Sequence, residues 1–154
     1  MHLHKIIPPE LIITGLKAEN KDEVFNELVD TFCGKNKIFD REDILEALWI
    51  RESKMSTGII KGIAIPHVKI TALDGIHAVI GISRKGIEYD SLDGLPVYLV
   101  FMILGPQINP EEYLSLLMSL SELLKNPDFY RDMLACNDSL SVVETIKKYE
   151  AANP

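Results

Sequence analysis

The 154-residue chain is 47% hydrophobic and 25% charged, which is enough apolar material for one substantial core and leaves little room for a second. Its 16 Lys plus Arg against 23 Asp plus Glu give a formal net charge of -7, favouring solubility and disfavouring general adhesion to nucleic acid. The 2 cysteines, Cys33 and Cys136, have no metal-ligand spacing and make no disulfide framework, so a reducing compartment is the simpler expectation.

The amino end, Met1 to Pro9, has neither the apolar run nor the cleavage pattern of a secretory signal. No later segment has the length and uniformity of a membrane span. A cytoplasmic location without direct membrane insertion is expected. His2 and His4 share a face if this end is extended, but no nearby carboxylate or cysteine completes a ligand set, so no metal site is expected there.

Leu11 to Thr14 reads as a short strand ended by Gly15. Helical spacing follows: Asn20 caps, Glu23 returns a bond to the cap, and Val24, Phe25, Leu28, Val29 and Phe32 make an apolar stripe that packs on a sheet. Gly34 offers a stop. Asp40 caps a second helix, Arg41 to Glu52, whose buried face holds Ile44, Leu45, Leu48 and Trp49. Arg51 lies near its carboxyl end, where a cation opposes the helix dipole favourably. Local evidence leaves two roles open for it, a solvated ion pair with Glu52 or another carboxylate, and anion binding.

The run Thr57-Gly-Ile-Ile-Lys-Gly-Ile-Ala-Ile-Pro-His67 is a glycine-punctuated approach to one histidine. Ile63 to Ile65 predict a short strand, because the residue before Pro66 is driven to an extended conformation, and His67 falls at its exit. From these residues alone His67 is a hydrogen-bonded turn histidine, an acid, base or nucleophile, a metal ligand or simply exposed, the turn role being the commonest. Gly58-Ile-Ile-Lys-Gly62 lacks the Gly-Lys-Ser or Gly-Lys-Thr ending of a nucleotide loop.

Gly75 to Ser83 reads as a strand with His77 as a single polar interruption, structural or exposed in role. Turns follow over Arg84 to Gly94, with Asp93-Gly94 the strongest turn signal. Leu95 to Leu104 predicts the central buried strand, leaving at Gly105-Pro106. Next comes a helix with Asn109 as cap, Pro110 in its first turn, Glu112 at capping-box spacing, and Leu114, Leu117, Met118, Ser121 and Leu124 on one face. Asn126-Pro127 starts a short helix and Ser139 or Ser141 a final one that frays at Ala-Ala-Asn-Pro154. Strands in the middle and helices around them predict one α/β domain over residues 1–154 with a compact layered fold.

Arg51, Thr57-Gly58, Gly62 and Ile65-Pro66-His67 stand together in a pattern that resembles the phosphoacceptor region of the fructose/mannitol-type enzyme IIA domains of the bacterial sugar phosphotransferase system, a family that includes the nitrogen-regulatory IIA proteins. The resemblance continues through Asp93-Gly94, the apolar run before Pro106 and the leucine-rich helix beyond it. It supplies the mixed sheet and implies reversible phosphoryl transfer through His67, with Arg51 stabilising phosphoryl oxygens. Ser56 or Thr57 would hold the histidine tautomer or donate to phosphate, and Gly58 and Gly62 would let the backbone approach. No metal or organic cofactor is implied. The implied partners are the small histidine phosphocarrier protein as donor and a cysteine on a cognate IIB domain as acceptor, or a regulatory protein target. Many sugar-specific members carry a second histidine where this chain has Tyr113, and a phenol cannot reproduce the positive state of imidazolium. Glu111 and Glu112 beside it would add negative charge near phosphate.

Overall fold

The structure, a computed structural model, describes residues 2–58 and 60–152. Met1, Ile59 of the glycine-punctuated run and the expected frayed end at Asn153-Pro154 lie outside the described residues.

The longest apolar run sits at the centre. Val97 and Leu99 through Leu104 have no exposed surface, as a strand covered on both faces requires. This strand, β5 (Val97–Pro106), pairs antiparallel with β4 (His77–Ile87), Val79 standing opposite Met102. On the other edge of β5 lie two short strands end to end, β2 (Ile63–Ala64) and β3 (His67–Ile70), both parallel to it. A two-residue β1 (Ile12–Ile13) pairs parallel with β4 at the far edge. The order is β1-β4-β5-β2 with β3 also on β5, a mixed central sheet flanked by helices, as the family resemblance implies.

Three boundaries differ from expectation. Leu11 belongs to a 3-10 turn, which shortens β1. β4 does not turn after Ser83 but continues to Ile87, a register shift between Ile82 and Ile87 and Gly86 at φ 95° absorbing the irregularity. β5 also runs through Gly105-Pro106, because Pro106 is on a parallel pairing with Ile70 at the sheet's end.

Helix α1 (Lys21–Lys35) and α2 (Arg41–Lys54) pack on each other and on β4 and β3. The caps are as read: Asn20 accepts from the Glu23 amide at 2.9 Å and Asp40 from that of Glu42 at 2.8 Å. Glu23 reaches the amide of Glu19 instead of that of Asn20, and α1 passes through Gly34 before it stops. Trp49 is not buried but 38% exposed, set edge-on against Phe25.

Helix α3 (Glu111–Leu124), α4 (Pro127–Leu134) and α5 (Ser139–Ala152) complete the fold, α4 and α5 packing together and reaching β5 and β1. Asn126 caps α4 through the amide of Asp128. The start of α3 departs from the capping-box expectation. Asn109 takes φ 57°, Pro110 occupies the cap position, and no side chain caps the helix. Its buried face is also turned: Tyr113, Leu116, Leu120, Leu123 and Leu124 face the core, and Leu114 and Met118 are exposed. Leucines lie on both sides of this helix, so spacing alone does not fix the inward face. Both cysteines are free thiols. Among the described residues no helix is long and apolar enough to cross a membrane.

Candidate active site

Pro66 follows the end of β2, and His67 is the first residue of β3, so the histidine opens a strand instead of leaving one. The kink matters because it brings the imidazole back over its own chain. Nδ1 of His67 lies 2.7 Å from the carbonyl oxygen of Ile65, and a carbonyl only accepts, so the proton is on Nδ1. Nε2 is therefore left with its lone pair. Neither Ser56 nor Thr57 holds the tautomer. Burial, above all, lowers the affinity of His67 for a second proton; Arg51 acts in the same direction, and the Ile65 carbonyl and Glu52 oppose it.

Nε2 belongs to a side chain lining a cleft of about 510 Å³ between the end of α2, the start of β3 and the start of α3. Arg51 and Lys54 come from α2, His67 and Lys69 from β3, Gln107 from the loop after β5, and Tyr113 from α3. The guanidinium of Arg51 donates to the Met55 carbonyl at 2.9 Å and has no carboxylate within ion-pair distance among the described residues. The ion pair with Glu52 left open by the sequence is absent because Glu52 is engaged elsewhere. Three cations thus line a cleft in a chain of net charge -7. Such a cleft suits a compact polyanion.

Lys54 and Lys69 were legible but unread. Lys54 follows Arg51 by three residues on one helix face, and Lys69 follows His67 by two on one strand face. Tyr113 is 3% exposed, its ring lying against Gly105, where a Cβ would come within 2.2 Å of the ring. Burial pushes its phenol up to about 12, with Arg51 pulling the other way, so it is neutral in the cleft. Glu111 and Glu112 do not line this cleft. They border a separate hollow with His2, Lys5, Ile6 and Ser115.

The loop from Met55 to Pro66 is pinned from behind by a buried group that sequence reasoning missed. Glu52, 6% exposed, accepts from the Thr57 amide at 2.8 Å and the Thr57 hydroxyl at 2.8 Å, and Lys21 stands 3.8 Å away. The Thr57 hydroxyl also meets Tyr89 at 2.8 Å. The Thr57 carbonyl then accepts from the Ile65 amide at 3.0 Å, and Ile65 holds His67. Thr57 therefore acts two bonds behind the histidine. Ser56 receives the Gly58 amide at 3.1 Å. The glycines pack away from the cleft: a Cβ on Gly58 would meet Ser91 Oγ at 2.6 Å, and Gly62, at φ 76°, lies against Tyr130 in a different cavity. His77 is a structural residue, edge-on to Phe32 and Phe39.

A family model described as "Phosphoenolpyruvate-dependent sugar phosphotransferase system, EIIA 2" matches residues 5–149. The chain belongs to this family. Like other EIIA components it works in phosphotransfer. It is 31% identical over 150 residues to the fructose-specific EIIABC component of Bacillus subtilis, covering 97% of this chain but spanning only 24% of that protein. It is 33% identical over 135 residues to a nitrogen regulatory protein of Pseudomonas aeruginosa, covering 87% of this chain and 86% of the other. The crystal structure of nitrogen regulatory protein IIA-Ntr from Neisseria meningitidis superposes with a TM-score of 0.87 at 24% identity, covering 94% of this chain and 98% of that one, and shows the shared fold.

Proposed function

We propose that Nε2 of His67 is the phosphoacceptor of this EIIA domain, and that its phosphorylation state controls binding to other proteins in the manner of a nitrogen-regulatory IIA. The 2.7 Å contact from Nδ1 to the Ile65 carbonyl carries the first part, because it leaves Nε2 unprotonated and facing a cationic cleft. In the proposed step the Nε2 lone pair forms a bond to phosphorus as the N–P bond of a phosphohistidine on the small histidine phosphocarrier protein breaks. The donor ring leaves with that electron pair. His67 keeps its Nδ1 proton, and the Ile65 carbonyl faces the positive charge the ring acquires. Arg51, with Lys54 and Lys69, meets the oxygens of the moving group, and the atoms balance without metal or organic cofactor.

The regulatory part rests on Tyr113 and on the relatives. A neutral phenol stands in the cleft where many sugar-specific members place a second histidine, and the Pseudomonas regulatory relative matches over most of its own length. A charge added to a cleft that was cationic changes what the surrounding surface binds. Delivery to a cysteine on a IIB domain is the second reading, favoured by the fructose-specific relative.

Reconstitution with phosphoenolpyruvate, the general phosphotransfer proteins and a panel of IIB domains tests both parts. One acid-labile phosphate is expected, absent from a folded His67→Ala chain, with little passage to IIB and a phosphorylation-dependent change in protein binding. Equal labelling of His67→Ala would remove His67 from the mechanism, and rapid transfer to one IIB would give the transport reading.

A further inference from the structure

The amino-terminal turn and the last helix meet in a cluster that phosphotransfer does not use. His2 and His4, two residues apart, face the carboxylate of Glu150, which comes from the far end of the chain and so could not be seen as their partner in the sequence. Nδ1 of His4 is 2.6 Å from Oε1 of Glu150, and Nδ1 of His2 is 3.6 Å from Oε2. Ligand atoms of all three side chains lie within 4.8 Å of one another.

We infer that His2, His4 and Glu150 form a binding site for a divalent transition-metal ion, with zinc the best match. Two imidazoles and one carboxylate are a borderline donor set, which suits zinc over magnesium or calcium. A tetrahedral ion with bonds of about 2.0–2.2 Å holds its ligand atoms roughly 3.4 Å apart. His2 is already near that separation from the carboxylate, and His4 has to withdraw by less than about 1 Å.

The carboxylate is held in place before any ion arrives. Glu150 is 5% exposed, and the backbone amides of Leu3 and His4 donate to its two oxygens at 2.7 and 3.0 Å. Oε2 keeps a second acceptor direction, and the second direction of Oε1 is the one His4 Nδ1 now occupies, so the amide bonds orient the ligand without consuming it. His2, half-exposed, also borders the hollow that contains Glu111 and Glu112. That hollow offers an approach on the His2 side, where the carboxylates of Glu111 and Glu112 outnumber the cation of Lys5. Binding replaces the hydrogen bond between His4 and Glu150: Nδ1 of His4 ligates through its lone pair in the tautomer that carries the ring's one proton on Nε2.

Hydrogen bonding of Glu150 to the amino-terminal turn would by itself explain its burial, and metal affinity separates that role from ligation. The full chain, stripped with a chelator, is titrated with Zn2+ by calorimetry and with Co2+ by visible absorption, beside His2→Ala and Glu150→Gln. The wild-type chain is expected to bind one ion, to give the intense Co2+ bands of a tetrahedral site, and to melt at higher temperature with Zn2+. Each variant is expected to lose at least about tenfold in affinity. Should Glu150→Gln fail to fold, His2→Ala decides, since the His2 side chain is 42% exposed, makes only the long contact to Glu150 and stacks on the His4 ring at 5.5 Å between centroids. No stoichiometric binding by wild type, or unchanged affinity in His2→Ala, overturns the inference.

Discussion

Arg51 and Glu52 are neighbours on one helix, yet they face opposite worlds. The guanidinium stands in the open cleft with a single carbonyl partner, and the carboxylate is buried behind the loop with the Thr57 amide and hydroxyl and with Lys21 beside it. A helix turns about 100° per residue, so adjacent positions can serve a reactive surface and a structural core at once. The cleft holds charge that is free to meet a ligand, and the network behind it holds charge that is already satisfied. The reactivity proposed for His67 draws on both: one supplies cations, the other ties down Thr57 and, through it, the Ile65 that holds the imidazole.

The largest expected difference lies between substitutions at these two positions. Arg51→Ala should leave the fold intact and slow phosphoryl acceptance by roughly 100- to 1,000-fold, the magnitude for losing one well-placed transition-state donor. Arg51→Lys should restore part of the rate, keeping charge but losing the planar donor array. Glu52→Ala should do the reverse in the first instance. It strands the Thr57 amide and Lys21 in a buried setting and leaves the Thr57 hydroxyl with Tyr89 alone, a loss of roughly 3–5 kcal/mol in unfolding free energy by denaturant titration. Its activity should decline through disorder of the loop. An Arg51→Ala chain with wild-type transfer rates, or a Glu52→Ala chain with wild-type stability, would erase the division between the two sides.

The same pair shows how far the sequence could be read. A local pattern singled out His67 and Arg51, which the structure brings to one cleft, and the helix caps at Asn20, Asp40 and Asn126 were accessible through hydrogen bonds spanning two or three residues. The buried run of β5 announced itself by continuous hydrophobicity. What was missed is long-range or turns on rotation about an axis. Nothing local tells that Glu52 points inward, since its partners Lys21 and Tyr89-bound Thr57 are assembled only by folding. Glu150 is 146 residues from His4, and no spacing rule connects them. The inward face of α3 was misread because leucines occupy positions on both sides, which left the burial of Tyr113 to be decided by the space over Gly105.

Tyr113 allows a finer cut within the cleft. Its hydroxyl has no hydrogen-bond partner among the described residues, so Tyr113→Phe should leave stability within about 0.5 kcal/mol of wild type. If the phenol donates to the phosphoryl group, the same variant should lose up to about tenfold in acceptance rate, as a bond worth ~1.4 kcal/mol would. Tyr113→His should raise transfer to IIB domains if the missing imidazolium is what separates the regulatory from the transport reading. Unchanged partner preference in both variants would show that this position does not set the branch. The readout is phosphate transfer measured beside phosphorylation-dependent pull-down, so that rate and binding are scored on the same chains.

The smallest effect expected is on pH dependence, and it bears most directly on the coupling between the two sides. Burial lowers the pKa of His67 from its ordinary 6.5, and Arg51 adds to the lowering; the Ile65 carbonyl and Glu52 act against it. In the proposed step the neutral ring is the nucleophile, so acceptance should rise with pH through the His67 pKa and become flat above it. With that pKa depressed, more than half of the ring is still neutral at pH 6.5, where an unperturbed histidine would be half protonated. The rate at that pH should therefore exceed half of its plateau, a change of less than about twofold. Because the donor carries its own titrating histidine, the decisive measurement is an NMR titration of the His67 ring in the unphosphorylated protein. Arg51→Ala should move its midpoint upward, since a like charge has been removed, and Glu52→Gln should move it downward, since an opposite charge has been removed. Midpoints that fail to separate in these directions would mean that burial alone sets the imidazole, and that the neighbouring charges act on the phosphoryl group without acting on the base.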